Sequence, residues 1–63
     1  MDTALIKRRL KELGMTQAGL AAKCGVTKEF INMVIAGSKL PSIPVLKLMA
    51  RALDVTSDEL IGL

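Results

Sequence analysis

Sixty-three residues suffice for one small domain, and with so short a chain the margin of stability is thin. Apolar residues make up 51% and are almost all aliphatic; Phe30 is the one aromatic side chain, and there is no His, Trp or Tyr. A single cysteine excludes an internal disulfide and the usual zinc spacings and fits a reduced, cytoplasmic setting, while a net charge of +3 with pI near 9.4 permits nucleic-acid binding without requiring it.

The elements can be read in chain order as five short helices. The first is expected over Thr3 to Leu13, with Asp2 or Thr3 as N-cap. Ile6, Leu10 and Leu13 form an apolar stripe at i, i+4 and i+7, and Lys7, Arg8, Arg9, Lys11 and Glu12 cover the remaining surface. Gly14 is placed to end the helix in a left-handed conformation. This basic N-terminal stretch holds no uninterrupted apolar run, so neither a signal peptide nor a membrane span is expected.

Thr16 caps a second helix through Cys24, whose inner face is Leu20, Ala21 and Cys24, and Gly25 ends it. Cys24 reads as a small buried hydrophobe rather than a reactive thiol. Gly19 inside this helix costs about 1 kcal/mol relative to Ala. Thr27 then caps a third helix to about Ile35, closed by Ala36, Gly37 and Ser38. Ser38 to Ser42 is a loop, because Pro41 excludes helix there. The fourth helix runs from near Ser42 to Leu53, with Pro44 in its first turn and Val45, Met49, Ala52 and Leu53 at helical spacing. Thr56 and Glu59 form a capping box for a last short helix to Ile61. Period-two alternation is absent, so the expected fold is all-α, one compact five-helix domain over residues 1–63.

The informative stretch is Thr16 to Ala36. Two short helices meet at Cys24-Gly25-Val26-Thr27, where the glycine permits a sharp turn, the valine can plug the angle, and the threonine restarts the helix. This is a helix-turn-helix, a unit that lays its second helix in the DNA major groove while the first crosses the backbone.

Gly14-Met15-Thr16-Gln17 with Leu20-Ala21, and Gly25-Val26-Thr27 with Ile31, resemble the lambdoid phage repressor and Cro domains, the XRE-type helix-turn-helix family. Gly37, Pro41-Ser42, Leu46, Met49-Ala50, Ala52-Leu53, Val55, Thr56 and Asp58-Glu59-Leu60 continue the resemblance at consistent spacing through the fourth and fifth helices. The resemblance implies a five-helix repressor-like domain that binds double-stranded DNA as a sequence-specific transcriptional repressor, with a homodimer on DNA as its common form. It implies phosphate contacts from Gln17 and Thr16, base or backbone contacts from Thr27, Lys28, Glu29, Asn32 and Met33, and a backbone-following loop at Ser38, Lys39 and Leu40. Each position also has a plainer reading: Thr16 and Gln17 as a helix start, Lys28 as a solvated lysine, Asn32 facing water.

Several residues depart from the family pattern. Glu29 sets a negative charge where phosphates approach, although it can accept from cytosine. Met33 stands where a polar reader is usual and can only touch a thymine methyl. Phe30 is large where relatives carry a small or polar residue, and reads as added packing. Leu10 and Ile35 occupy positions often held in relatives by Arg and Glu, some of which form a buried ion pair; the apolar exchange is often neutral or stabilising by ~1–4 kcal/mol. These departures support an alternative, a designed or engineered stable scaffold with little or no specific DNA binding. A protein-interaction module of antitoxin-like type is a third reading. An enzyme is not expected: the carboxylates Asp2, Glu12, Glu29, Asp54, Asp58 and Glu59 are scattered, mostly at helix ends, with no histidine and no phosphate loop. No cofactor, metal, small-molecule substrate or membrane partner is implied.

Overall fold

Asp2, Thr16, Thr27, Ser42 and Thr56 each accept a hydrogen bond from the backbone N–H three residues ahead, and each opens a helix. In the computed structural model, which describes residues 1–63, the helices are α1 (Thr3–Glu12), α2 (Gln17–Cys24), α3 (Lys28–Ala36), α4 (Ile43–Leu53) and α5 (Ser57–Ile61). Thr56 and Glu59 close the reciprocal box: the Glu59 N–H donates to Thr56 Oγ1 (3.0 Å), and the Thr56 N–H donates back to Glu59 Oε1 (3.1 Å). No helix is long and apolar enough to cross a membrane.

Packing explains why such short helices hold. α2 lies against α3 and α4, α1 crosses α3 and also touches α4 and α5, and α5 closes on α4. Ile6, Leu20, Ile31, Met49, Leu53, Leu60 and Val34 are fully buried where these elements meet. All 14 buried residues are hydrophobic, so no polar residue is wholly enclosed in the core. Leu10 and Ile35 are both buried, so both positions add apolar side chains to the core.

The apolar stripe of α1 differs from the expected one. The helix stops at Glu12, Leu13 becomes its cap, and the chain turns at Gly14 with φ of +62°, so Leu13 is left exposed. Leu5 takes its place in the core beside Ile6 and Leu10. Arg9, expected among the solvated residues, is half-buried. Its Nε donates to the Leu53 carbonyl at the end of α4 (2.8 Å), and its Nη1 donates to Glu12 Oε1 (3.1 Å).

The acidic residues also differ in part from expectation. Asp58 and Glu59 do sit in the first turn of α5, and Glu29 in that of α3, where they complement the helix dipole. Glu12 and Asp54 instead lie at the C-terminal ends of α1 and α4, where the dipole opposes them. The Arg9 guanidinium offsets both, with Nη2 4.0 Å from Asp54 Oδ2.

Candidate nucleic-acid interface

The α2–α3 connection sets the geometry. Gly25 adopts φ of +67°, a left-handed conformation that a side chain disfavours. The next N–H, from Val26, then donates to the Ala21 carbonyl (3.0 Å) and seals the end of α2. Val26 packs half-buried against the core, and Thr27 leads into α3 in an extended conformation. The turn is thus fixed by a backbone bond, a packed side chain and a cap.

Thr16 and Thr27 spend an acceptor, not their proton, on capping. Thr16 Oγ1 accepts from the Gly19 N–H (3.0 Å), and Thr27 Oγ1 accepts from the Phe30 N–H (3.1 Å). Each hydroxyl keeps its O–H for an outside acceptor. The backbone N–H groups of Gln17 and Ala18, and of Lys28 and Glu29, have no partner within the chain. These are the orphan donors of a helix start, and they carry the positive end of the dipole. The Gln17 side chain is also uncommitted: its Oε1 is buried without a partner, and its Nε2 makes no hydrogen bond within the chain.

On α3, Ile31, Val34 and Ile35 point into the core. Glu29, Asn32, Met33 and Ala36, spaced i, i+3, i+4 and i+7, share the outer face with Lys28, and all five are exposed. The polar expectation at Lys28, Glu29 and Asn32 and the apolar one at Met33 therefore fall on one surface. It is a mixed surface, with one cation, one anion, one amide and one thioether.

The loop after α3 is tied down at its start. Ser38 donates both its N–H (3.0 Å) and its hydroxyl (3.2 Å) to the Met33 carbonyl. Its proton is thereby engaged in closing α3. Lys39 follows, with its Nζ 5.6 Å from the centre of the Phe30 ring, and Leu40 is exposed. Phe30 packs half-buried against the core, in line with its reading as packing; the contact with Lys39 is an addition that no sequence spacing announces.

Elsewhere the surface offers less. A shallow cleft of about 410 Å³ lies between α1 and the start of α5, but its charges are already engaged: Arg9 faces Glu12 and Asp54, Arg8 lies 3.9 Å from Glu12, and Glu59 caps α5. No three His, Cys, Asp or Glu side chains converge. Burial pushes the Cys24 thiol above its ordinary pKa, which disfavours the reactive thiolate.

Residues 6–60 match the profile of a protein family described as helix-turn-helix. Over 49 residues, covering 78% of this chain and 71% of the relative, the sequence is 43% identical to an uncharacterised HTH-type transcriptional regulator of Methanothermobacter thermautotrophicus. No solved structure matches the chain.

Proposed function

This chain belongs to the XRE/Cro-like helix-turn-helix family, and from that membership we propose that it binds double-stranded DNA sequence-specifically and represses transcription by occluding promoter sites. One observation carries the reading furthest. The starts of α2 and α3 each present two unpaired backbone N–H donors and a free threonine O–H, and a rigid turn fixes one start relative to the other. A polyanion is the partner such donors suit.

The roles follow from the chemistry of each group. Gln17 Nε2, with the Thr16 hydroxyl and the adjacent N–H groups, grips one phosphate. α3 enters the major groove, which is about 12 Å wide and admits a helix. Asn32 pairs with an adenine edge, Glu29 accepts from a cytosine amino group, and Met33 meets a thymine methyl. Thr27 and Lys28 contact the backbone at the groove edge. Ser38 shapes the following loop, and Lys39 brings its cation to the next phosphate. Two copies on one palindrome would each read a half-site, about one helical turn apart.

Fluorescence anisotropy on a repressor-type palindrome and on random duplex, over a salt series, tests this. The palindrome should bind more tightly, and log affinity should fall with log salt at a slope of roughly −0.9 per phosphate neutralised. Asn32→Ala should weaken the palindrome by about 5- to 150-fold, as expected for losing a bidentate base contact, and should leave random duplex nearly unchanged. Absence of binding to either duplex at low salt would refute the proposal and leave the fold as a scaffold.

A further inference from the structure

Phe30 in the first turn of α3 meets Lys39 of the loop that follows the helix, and their contact bears on how the loop cation reaches DNA. Phe30 is fixed from two sides. Its N–H is capped by Thr27 Oγ1, and its ring is half-buried against the core. Lys39 is fixed by its neighbours alone: Ser38 is bonded to the Met33 carbonyl, and Pro41 is half-buried. The Lys39 ammonium makes no hydrogen bond or ion pair with another residue, and its one polar engagement is the ring face at 5.6 Å. That distance lies inside the range of about 6 Å over which the quadrupole of an aromatic ring attracts a cation. A lysine has a long, flexible stem, so an exposed cation left free would spread over many rotamers.

We propose that Phe30 is a positioning residue for Lys39, holding the loop ammonium beside the first turn of the recognition helix for a DNA phosphate. This rests on the DNA-binding reading above and goes beyond it by assigning a role to a residue to which that reading gives no DNA contact. The ring covers one side of the ammonium. The remaining N–H donors stay available, because an ammonium carries three. The phosphate then meets a cation already in place, and less side-chain freedom is lost on binding.

The test is a double-mutant cycle on a random-sequence duplex of about 20 base pairs, read by anisotropy over a KCl series. Phe30→Leu removes the ring but keeps an apolar side chain; it should weaken binding about two- to fivefold, the scale of an exposed cation–π contact. Phe30→Tyr keeps the ring and should bind as the unsubstituted chain does. Lys39→Met should shrink the salt slope by about 0.9. In the Lys39→Met background Phe30→Leu should change nothing further. Proton shifts of the Lys39 ε-methylene give a readout without DNA, displaced by the ring in the unsubstituted chain and returning to the free-lysine position in Phe30→Leu. Should Phe30→Leu unfold, Phe30→Met supplies a second ringless variant.

Equal losses from Phe30→Leu with and without Lys39 would overturn the proposal, because the ring would then act on α3 itself. Tighter binding by Phe30→Leu would also overturn it, because the ring would then be withholding the cation. If the unsubstituted chain binds no duplex, the DNA-binding reading fails and takes this proposal with it. That result is distinct from a DNA-binding chain whose Phe30→Leu variant is unaffected.

Discussion

Arg9 joins three things that would otherwise be unfavourable: the open carbonyl of Leu53 at the end of α4, and the carboxylates of Glu12 and Asp54 at helix C-termini. Replacing it with leucine leaves all three. We expect Arg9→Leu to cost about 2 kcal/mol, the scale of a hydrogen bond involving a charged group, read as a lower urea midpoint. Arg9→Lys should recover only part of this, because an ammonium lacks the fork that reaches several acceptors at once. The role was hidden in the sequence because arginine on a helix surface is normally solvated; only the packing of α1 near the end of α4 shows it. Cys24, by contrast, was legible, since its apolar neighbours at helical spacing already implied burial. Its raised pKa has a stability consequence. Below about pH 8.5, the ordinary thiol value, both folded and unfolded thiols are protonated and its contribution is constant. Above it the unfolded thiol releases its proton while the folded one holds on, so stability falls as pH rises toward the folded value. Urea midpoints at about pH 7.5 and about pH 9.5 should therefore drop more for the unsubstituted chain than for Cys24→Ala.

At the scale of elements, the helix starts were the most legible part of the chain. Thr16, Thr27 and Thr56 announce helices by the local bond a hydroxyl makes to its own backbone, and that bond needs no tertiary context. Helix ends were less so. Leu13 continued the periodic stripe of α1 on paper but fell beyond the last turn, since a helix end is decided by where the chain must go next. Asp54 ends α4 in a left-handed conformation usually left to glycine. The outer face of α3 was carried over from the family resemblance, whereas the Phe30–Lys39 contact depended on the path of a loop. The turn itself makes a sharp prediction. A methyl group at Gly25 would meet no atom within 4 Å, so Gly25→Ala should suffer only the left-handed backbone penalty. We expect about 1–2 kcal/mol by urea denaturation, with Gly25→Asn losing less. A much larger loss would mean that the turn is crowded.

For the whole molecule, the apolar surface left uncovered matters as much as the core. Met1, Leu40, Pro41, Leu46 and Ile61 line a groove of about 230 Å³, and Leu40 is 73% exposed. With five lining residues the groove falls well short of the roughly 20–30 residues a side of a standard stable interface. We therefore expect a monomer in solution by sedimentation equilibrium and two copies per palindromic duplex, where DNA holds them close. Ile61→Ser, on the far side of the same groove, should reduce the cooperativity of the second copy and leave binding to an isolated half-site nearly unchanged.

The Asp2 N–H donates to the Leu60 carbonyl at 2.8 Å, so the first helix cap and the last helix are stitched together. Topologically the chain is almost a ring, and the order in which its helices are synthesised is therefore open to change. A short glycine-rich linker from Leu63 to Met1, with new ends opened between Leu40 and Pro41, should give a circular permutant with the same far-ultraviolet spectrum. It would carry α4 and α5 first and the helix-turn-helix last. Folding of that permutant would show that the five-helix arrangement resides in how the helices pack rather than in the order of their connections.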